Sequence, residues 1–383
     1  MTRIICFGDL HFKIDNVIQM KQYIYQIDNW IKYNYIPDIF ILLGDILHYH
    51  ERLHTIPLNQ FNSMIEILQK YQRPIIILVG NHDMINHKQF LTTNHWMNVL
   101  KHIPNVYVID TSQSFSINSF TFVCVPYVPN GMFLEAISSI SQHWKFEENT
   151  FIPQENPQHT IELYIAHQEF KGCNMGFISS ESGDEWKDTL PRVLSGHIHQ
   201  KQKLNDNIIY IGSAIQAGSY GGEFGMFSEL CIQDVQLAKP TSHVSKQETL
   251  YLESYLHLHF YKVAIPQHIV KTYTILQMDK DVLTLLIDLS LQKDICETLK
   301  INIKGSIDEF KVFKQSMIYK QLLKYNISIS LKPVETQTLI HKEHIEIPMF
   351  LKEMEDILKT TEHSSFMLQL FHDCCTYGNK ISF

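Results

Sequence analysis

The chain has 383 residues, 45% of them hydrophobic and 11% aromatic, enough for a sizeable core and more than the usual length of one domain. A formal charge of −8 excludes a surface coated with cations for nucleic acid, and no apolar run nears the roughly 20 residues of a bilayer span, so no membrane association is expected. Seven cysteines, odd in number and without a Cys-x-x-Cys pair, fit a reducing compartment, and the first residues run into a core strand rather than a secretory leader; the expected location is cytoplasmic.

Residues 3–7 form a short apolar run that ends in Gly8-Asp9. Residues 15–34 repeat Val17, Ile24, Ile27 and Ile31 at helical spacing. A second apolar run, 38–43, ends in Gly44-Asp45; a helix is predicted over 58–71; and a third run, 75–79, ends in Gly80-Asn81-His82-Asp83. This alternation predicts a layered α/β core. Strands buried on both faces offer functional groups only at their carboxyl ends, so the polar ends should converge on one edge. Runs at 120–125, 161–166, 191–195, 208–211 and 227–232 predict a second sheet packed on the first; His167 closes one, and Gly196-His197-Ile198-His199 closes another.

The clear strand pattern ends near residue 250, where a domain boundary is expected, giving a catalytic domain over 1–250. Residues 251–335 follow, with a small β-α-β unit built from 273–289, a helix near 307–325 and the alternating run 326–331. The last segment, 336–383, has amphipathic helical spacing from Met349 to Phe371.

Asp9-x-His11 and His197-x-His199 each carry two donors two residues apart, which extended backbone presents to the same side. Carboxylate, imidazole and amide oxygen together suit manganese, iron or zinc in a catalytic site better than calcium or a thiolate-held structural zinc. Asp45 has two oxygens with which to bridge two ions, and Asn81 can offer its carbonyl. Such a pair of divalent ions, 3.5 to 4 Å apart by about the usual spacing, would activate a water and clamp the oxygens of a phosphoester. His82 is placed to bond a phosphoryl oxygen or protonate the leaving alkoxide, with Asp83 as a candidate to orient it. Each residue alone has a plainer reading: Asp9 as a helix cap, His167 as a core histidine, Gly-Asn-His-Asp as a turn. Their joint arrival at strand ends favours the metal reading.

In this order the motifs Gly8-Asp9-Leu10-His11, Gly44-Asp45, Gly80-Asn81-His82-Asp83, His167 and Gly196-His197-Ile198-His199 resemble the calcineurin-like metallophosphoesterase superfamily, across residues 3–233. The resemblance implies a four-layer sandwich of two mixed sheets flanked by helices. It also implies that Asp9, His11, Asp45 and His199 hold one ion and Asp45, Asn81, His167 and His197 the other. Gly44-Asp45-Ile46-Leu47-His48 is similar to the Gly-Asp-Leu-Phe-His of SbcD-type DNA repair nucleases, whose last histidine is implicated in exonuclease action. Ile211-Gly212-Ser213-Ala214-Ile215-Gln216 with Gly221-Gly222-Glu223 is similar to that family's Pro-Gly-Ser and Phe-Gly-Glu, although Ile211 replaces the proline and a glycine is added.

That likeness implies a manganese-dependent exonuclease and endonuclease acting on double- and single-stranded DNA in repair, recombination or replication. It implies a homodimer with 251–335 as a DNA-capping domain and 336–383 docking an SbcC-type SMC-like ATPase. A general phosphodiesterase or protein phosphatase on the same core is the enzymatic alternative. A silent DNA-end-binding scaffold is the other, and seven intact ligands stand against it.

Overall fold

Strands without a polar face need a packed layer on each side, and the apolar runs of this chain obtain both. The structure, a computed structural model, describes residues 2–333 apart from Glu51, 156–159, Phe177, 216–224, 233–242, 293–295 and Asn326. One sheet has seven strands, in the order Val244–Glu253, Leu256–Val263, Met226–Ile232, Thr2–Phe7, Ile39–Leu42, Ile75–Leu78 and Val106–Ile109. The other has eight, in the order Gln202–Leu204, Ile208–Tyr210, Arg192–Gly196, Leu163–His167, Phe120–Val125, Gln113–Ile117, Gln142–Glu147 and Thr150–Pro153. Both are mixed: Thr2–Phe7 runs parallel to Ile39–Leu42 and antiparallel to Met226–Ile232, while Phe120–Val125 runs parallel to Leu163–His167 and antiparallel to Gln113–Ile117.

Side chains of Thr2–Phe7 separate by parity, as a pleated strand requires. Ile4 and Cys6 enter the layer between the sheets, with Phe122, Ile165 and Leu194. Ile5 and Phe7 pack on the other face under the helices Val17–Asn34 and Thr55–Gln69, through Met20, Tyr23, Trp30, Phe61 and Met64. A third cluster, including Val123, Ala166, Phe133 and Trp186, covers the far side of the second sheet. This is the expected four-layer sandwich.

Met226–Ile232 departs from the sequence reading. It was expected in the second sheet, but it lies in the first, between Thr2–Phe7 and Leu256–Val263. All seven of its residues are buried, so its pattern carries no sign of which sheet it joins. The boundary expected near residue 250 falls inside Val244–Glu253, which pairs antiparallel with Leu256–Val263; the first sheet therefore continues to Val263. Polar, exposed positions along that edge strand had masked it.

Beyond the sheet, Gln267–Thr274, Cys296–Gly305 and Ser328–Pro333 form a parallel three-stranded sheet, crossed by the helix Lys280–Leu291 and by Ile307–Gln315 and Met317–Lys324. These elements share a core of their own, centred on Leu286, Ile301, Ile303 and Leu322. The helix predicted over 307–325 breaks at Ser316, whose hydroxyl caps the second piece by accepting from the Tyr319 amide at 3.1 Å. Segment 336–383 lies outside the described residues. Among those described, no helix is long and apolar enough to cross a membrane.

Two outcomes follow from this packing. Ile41→Ala, at a fully buried position between the sheets, should cost about 2 to 5 kcal/mol, read as a lowered denaturant midpoint. Asp110, at the end of Val106–Ile109, accepts from His95 Nε2 at 3.1 Å and from Lys101. Burial acts to raise its carboxyl, but the bonds from His95 and Lys101 outweigh burial and hold it below the usual carboxylate range. Its folded value lies below its unfolded one, so its stabilisation is present above about pH 4 and lost as pH falls through the folded value. The stability difference between wild type and Asp110→Asn in urea should therefore shrink below about pH 4.

Candidate metal centre

Five parallel-strand ends deliver the predicted residues to one edge of the sandwich. Asp9 and His11 follow Thr2–Phe7, Asp45 follows Ile39–Leu42, Asn81 follows Ile75–Leu78, His167 ends Leu163–His167, and His197 and His199 follow Arg192–Gly196. Each chain must turn sharply to leave its strand. His11, Asp45 and His197 do so with φ of 43°, 48° and 78°, in the left-handed region that non-glycine residues seldom occupy. Gly44 (φ 98°) and Gly80 supply close approach: a Cβ on Gly44 would lie 2.7 Å from His167 Nδ1, and one on Gly80 would lie 2.3 Å from Asp45 N.

The donors fall into two groups. Asp9, His11 and His199 form one and Asp45, His167 and His197 the other, with ligand atoms in each lying within 4.8 Å of one another. Asp45 faces both, with Oδ2 3.5 Å from His11 Nε2 and Oδ1 3.3 Å from His167 Nε2. Asn81 Oδ1 lies 3.1 Å from His167 Nε2 and 2.9 Å from His197 Nδ1. His11 Nε2 and His199 Nε2 stand 2.8 Å apart. All seven predicted donors are thus brought together.

These residues fit cationic guests. Asp9 is fully buried; its Oδ1 accepts from the His197 amide at 3.0 Å, while Oδ2 has no hydrogen-bond partner among the described residues. Burial lifts its carboxyl to about 7, an unstable position for an anion unless positive charge arrives. His11 is driven well below the ordinary histidine value by burial and by His199, which leaves its lone pair free. Burial depresses His167 as well, but Asp45 and Asp9 outweigh it and raise the ring to about 9; a bound cation would displace that proton. His167 Nδ1 donates to the Leu43 carbonyl at 2.7 Å, which turns Nε2 toward the centre.

His82, His48 and His50 extend the site. The His82 ring meets His11 edge-on at 4.8 Å and lies nearly parallel to His48 at 5.5 Å and to His50 at 4.5 Å. Its Nδ1 donates to the His48 carbonyl at 2.6 Å, so that carbonyl orients the ring. The role foreseen for Asp83 is therefore filled otherwise. Its buried carboxylate accepts from the amides of Ile46 (3.1 Å) and Gly80 (3.0 Å) and from the Trp96 indole (3.2 Å), tying the Asp45 turn to the Asn81 turn. It is a brace and not a partner of His82.

Sequence reasoning missed Glu169 and His50. Glu169 Oε2 lies 3.8 Å from His197 Nε2, and the proximity of the His197 ring, with the hydroxyl of Ser180 that donates to Oε1, holds its carboxyl down at about 2. The spacing His167-x-Glu169, the same as Asp9-x-His11, was the available signal. The Ile211–Ile215 stretch closes the edge: the Ser213 amide donates to the His199 carbonyl and the Ala214 amide to the Asp9 carbonyl, each at 3.0 Å. Gln216 and Gly221-Gly222-Glu223 lie outside the described residues.

Glu169 steadies His197 without belonging to either group. Glu169→Gln should weaken divalent-metal binding about 10- to 100-fold with the fold intact, as titration calorimetry and thermal melting would register.

The family profile described as calcineurin-like phosphoesterase matches residues 2–201. "Putative phosphoesterase 244L" of Invertebrate iridescent virus 6 is 36% identical over 316 residues, covering 82% of this chain and 98% of that protein. "Putative phosphoesterase 078R" of Invertebrate iridescent virus 3 is 36% identical over 329 residues, covering 86% of this chain and 84% of that protein. With the donor set, the sandwich and these likenesses in agreement, the chain belongs to the calcineurin-like phosphoesterase family, whose members are hydrolases that use divalent metals.

Proposed function

We propose that this phosphoesterase is a DNA nuclease of the SbcD type, the nuclease subunit of a repair, recombination or replication complex. The observation that carries the reading is His48, the last residue of Gly44-Asp45-Ile46-Leu47-His48. Its Nδ1 lies 3.4 Å from His11 Nδ1, and its ring lies beside that of His82. Burial and then Lys13 lower it to about 4, so at neutral pH it meets a nucleic-acid strand as an uncharged hydrogen-bonding group. A second feature supports the same reading: between Ser254 and Pro333 the chain has 11 lysines against seven acids, a local excess in a chain of −8. Lys300, Lys304, Lys314 and Lys320 are exposed on the three-stranded unit, where they suit a phosphate backbone.

In this proposal Asp9, His11, Asp45 and His199 hold one manganese ion, and Asp45, Asn81, His167 and His197 hold the other. When bound, the pair supplies an activated water and neutralises charge developing on the phosphate. The chain's own groups do the rest. Asp45 turns one oxygen to each donor group. Asn81 commits its carbonyl and keeps its amide NH2 for a phosphate oxygen. His82, with Nδ1 donating to the His48 carbonyl, has Nε2 free for the substrate; in its imidazolium form it would give the Nε2 proton to the leaving alkoxide and remain as the neutral Nδ1–H ring. By the same reading the chain works as a homodimer on double- and single-stranded DNA in the cytoplasm, that of the host if the chain is phage-encoded, with 336–383 docking an SbcC-type SMC-like ATPase.

With manganese, the wild type should digest linear duplex DNA. His82→Ala should slow digestion about 10²- to 10⁴-fold, and His48→Ala should depress digestion far more than hydrolysis of bis(p-nitrophenyl) phosphate. Turnover of small phosphoesters or phosphoproteins alone would overturn the nuclease reading in favour of a general phosphodiesterase or phosphatase. ATPase capture undiminished by removal of 336–383 would overturn the docking role.

A further inference from the structure

The row of rings that begins at the donor groups continues outward. From His11 it passes to His82 and then to His50, whose ring is within 20° of parallel to His82. His50 in turn lines a cleft of about 490 Å³, within the size range of small-molecule sites. Leu53, Met84 and Ile85 give the cleft apolar walls, whereas Thr93, His95 and Asn98 give it polar ones. No lysine or arginine is among its described lining residues, and the carboxylate of Asp83 is, a balance that disfavours a phosphate. His95 Nε2 is taken by Asp110, and its Nδ1 is buried without a hydrogen-bond partner. With the proton on the Asp110 side, Nδ1 is an acceptor left without a donor among the described residues, buried behind the cleft surface. An adjoining cleft of about 410 Å³ shares His50 and Ile85 and includes Arg52, the charge that the first cleft lacks.

Apolar side chains, an imidazole stacked on the row of rings and polar groups among the same lining residues suit a planar heterocycle with hydrogen-bonding edges. We propose that this cleft seats one unstacked nucleobase next to the scissile phosphate, with His50 as its stacking platform. The inference rests on the nuclease reading above and adds what that reading leaves open, namely that the chain grips a base as well as the backbone. Recognition of this kind tolerates any sequence, because every base has a π-face. It favours ends and unpaired nucleotides, whose bases are already free of the stack.

Two diesters with the same leaving group test the proposal: thymidine 5′-p-nitrophenyl phosphate, which carries a base, and methyl p-nitrophenyl phosphate, which does not. With manganese, wild-type kcat/KM should favour the thymidine ester by about tenfold or more. Leu53→Asn and Ile85→Asn, at side chains of residues 51% and 43% exposed, should bring that ratio toward one. A wild-type ratio near one, or a high ratio that both variants retain, overturns the base site while leaving a phosphodiesterase in place. Failure of the wild type to cleave linear duplex DNA as well as both diesters removes the nuclease reading and the base site with it. A second measurement is independent of catalysis. In excess chelator, saturation-transfer NMR of deoxyadenosine monophosphate should show base protons more saturated than sugar protons, and Ile85→Asn should erase the difference. Equal saturation in the wild type overturns the proposal.

Discussion

Everything at the catalytic edge is arranged around one buried carboxylate. Asp45 leaves its strand in the left-handed region, receives the His82 amide at 2.8 Å, and faces a histidine of each donor group. Burial alone would raise its carboxyl, but His167 and then His11 overcome burial and keep it well below the ordinary range. The neighbours of Asp45 are fitted to that position: Gly44 and Gly80 keep space clear beside it, and Asp83 fastens the turns on either side. A group of this kind is costly to bury, and the surrounding sandwich is what holds it in place.

The two sheets serve that purpose by different means. In the first, parallel strands set Asp9, Asp45 and Asn81 side by side; in the second, parallel strands set His167 next to the His197 loop. Since the sheets face each other across an apolar layer, their carboxyl ends meet without any one segment having to supply the whole site. The strand Met226–Ile232 reinforces the first sheet by a polar link as well. Glu229 on it bonds Tyr35 and Tyr261 and lies 3.5 Å from Arg3, joining three adjacent strands and the end of a helix.

Much of this was legible in the sequence because the site lies where strand periodicity stops. A buried strand is a visible apolar run, and Gly-Asp or Gly-Asn at its end marks the place where the polar chain becomes free to act. What was illegible has a common cause: one-dimensional pattern does not record which partner a residue faces. Met226–Ile232 is buried on both faces and would look the same in either sheet. Asp83 beside His82 suggested a neighbourly pairing, yet the 3₁₀ turn Asn81–Asp83 sends its carboxylate back under the Asp45 loop. Val244–Glu253 alternates too weakly to announce an edge strand. Glu169 and His50 acquire meaning only from rings that lie next to them in space.

The position of Met226–Ile232 also has a meaning in time. The backbone of Thr2–Phe7 needs partners on both edges, but one of them is made more than 200 residues later in synthesis. At about 5 to 20 residues per second, that edge waits roughly 10 to 45 s in an unfinished sheet. An unpaired interior edge is a template for wrong pairing, so each nascent chain passes through a period in which it needs protection from its neighbours. The Tyr23 hydroxyl, which donates to the Met226 carbonyl at 3.1 Å, joins the helix Val17–Asn34 to this late strand. A strand is thus finished long after its own synthesis, when its distant partner arrives.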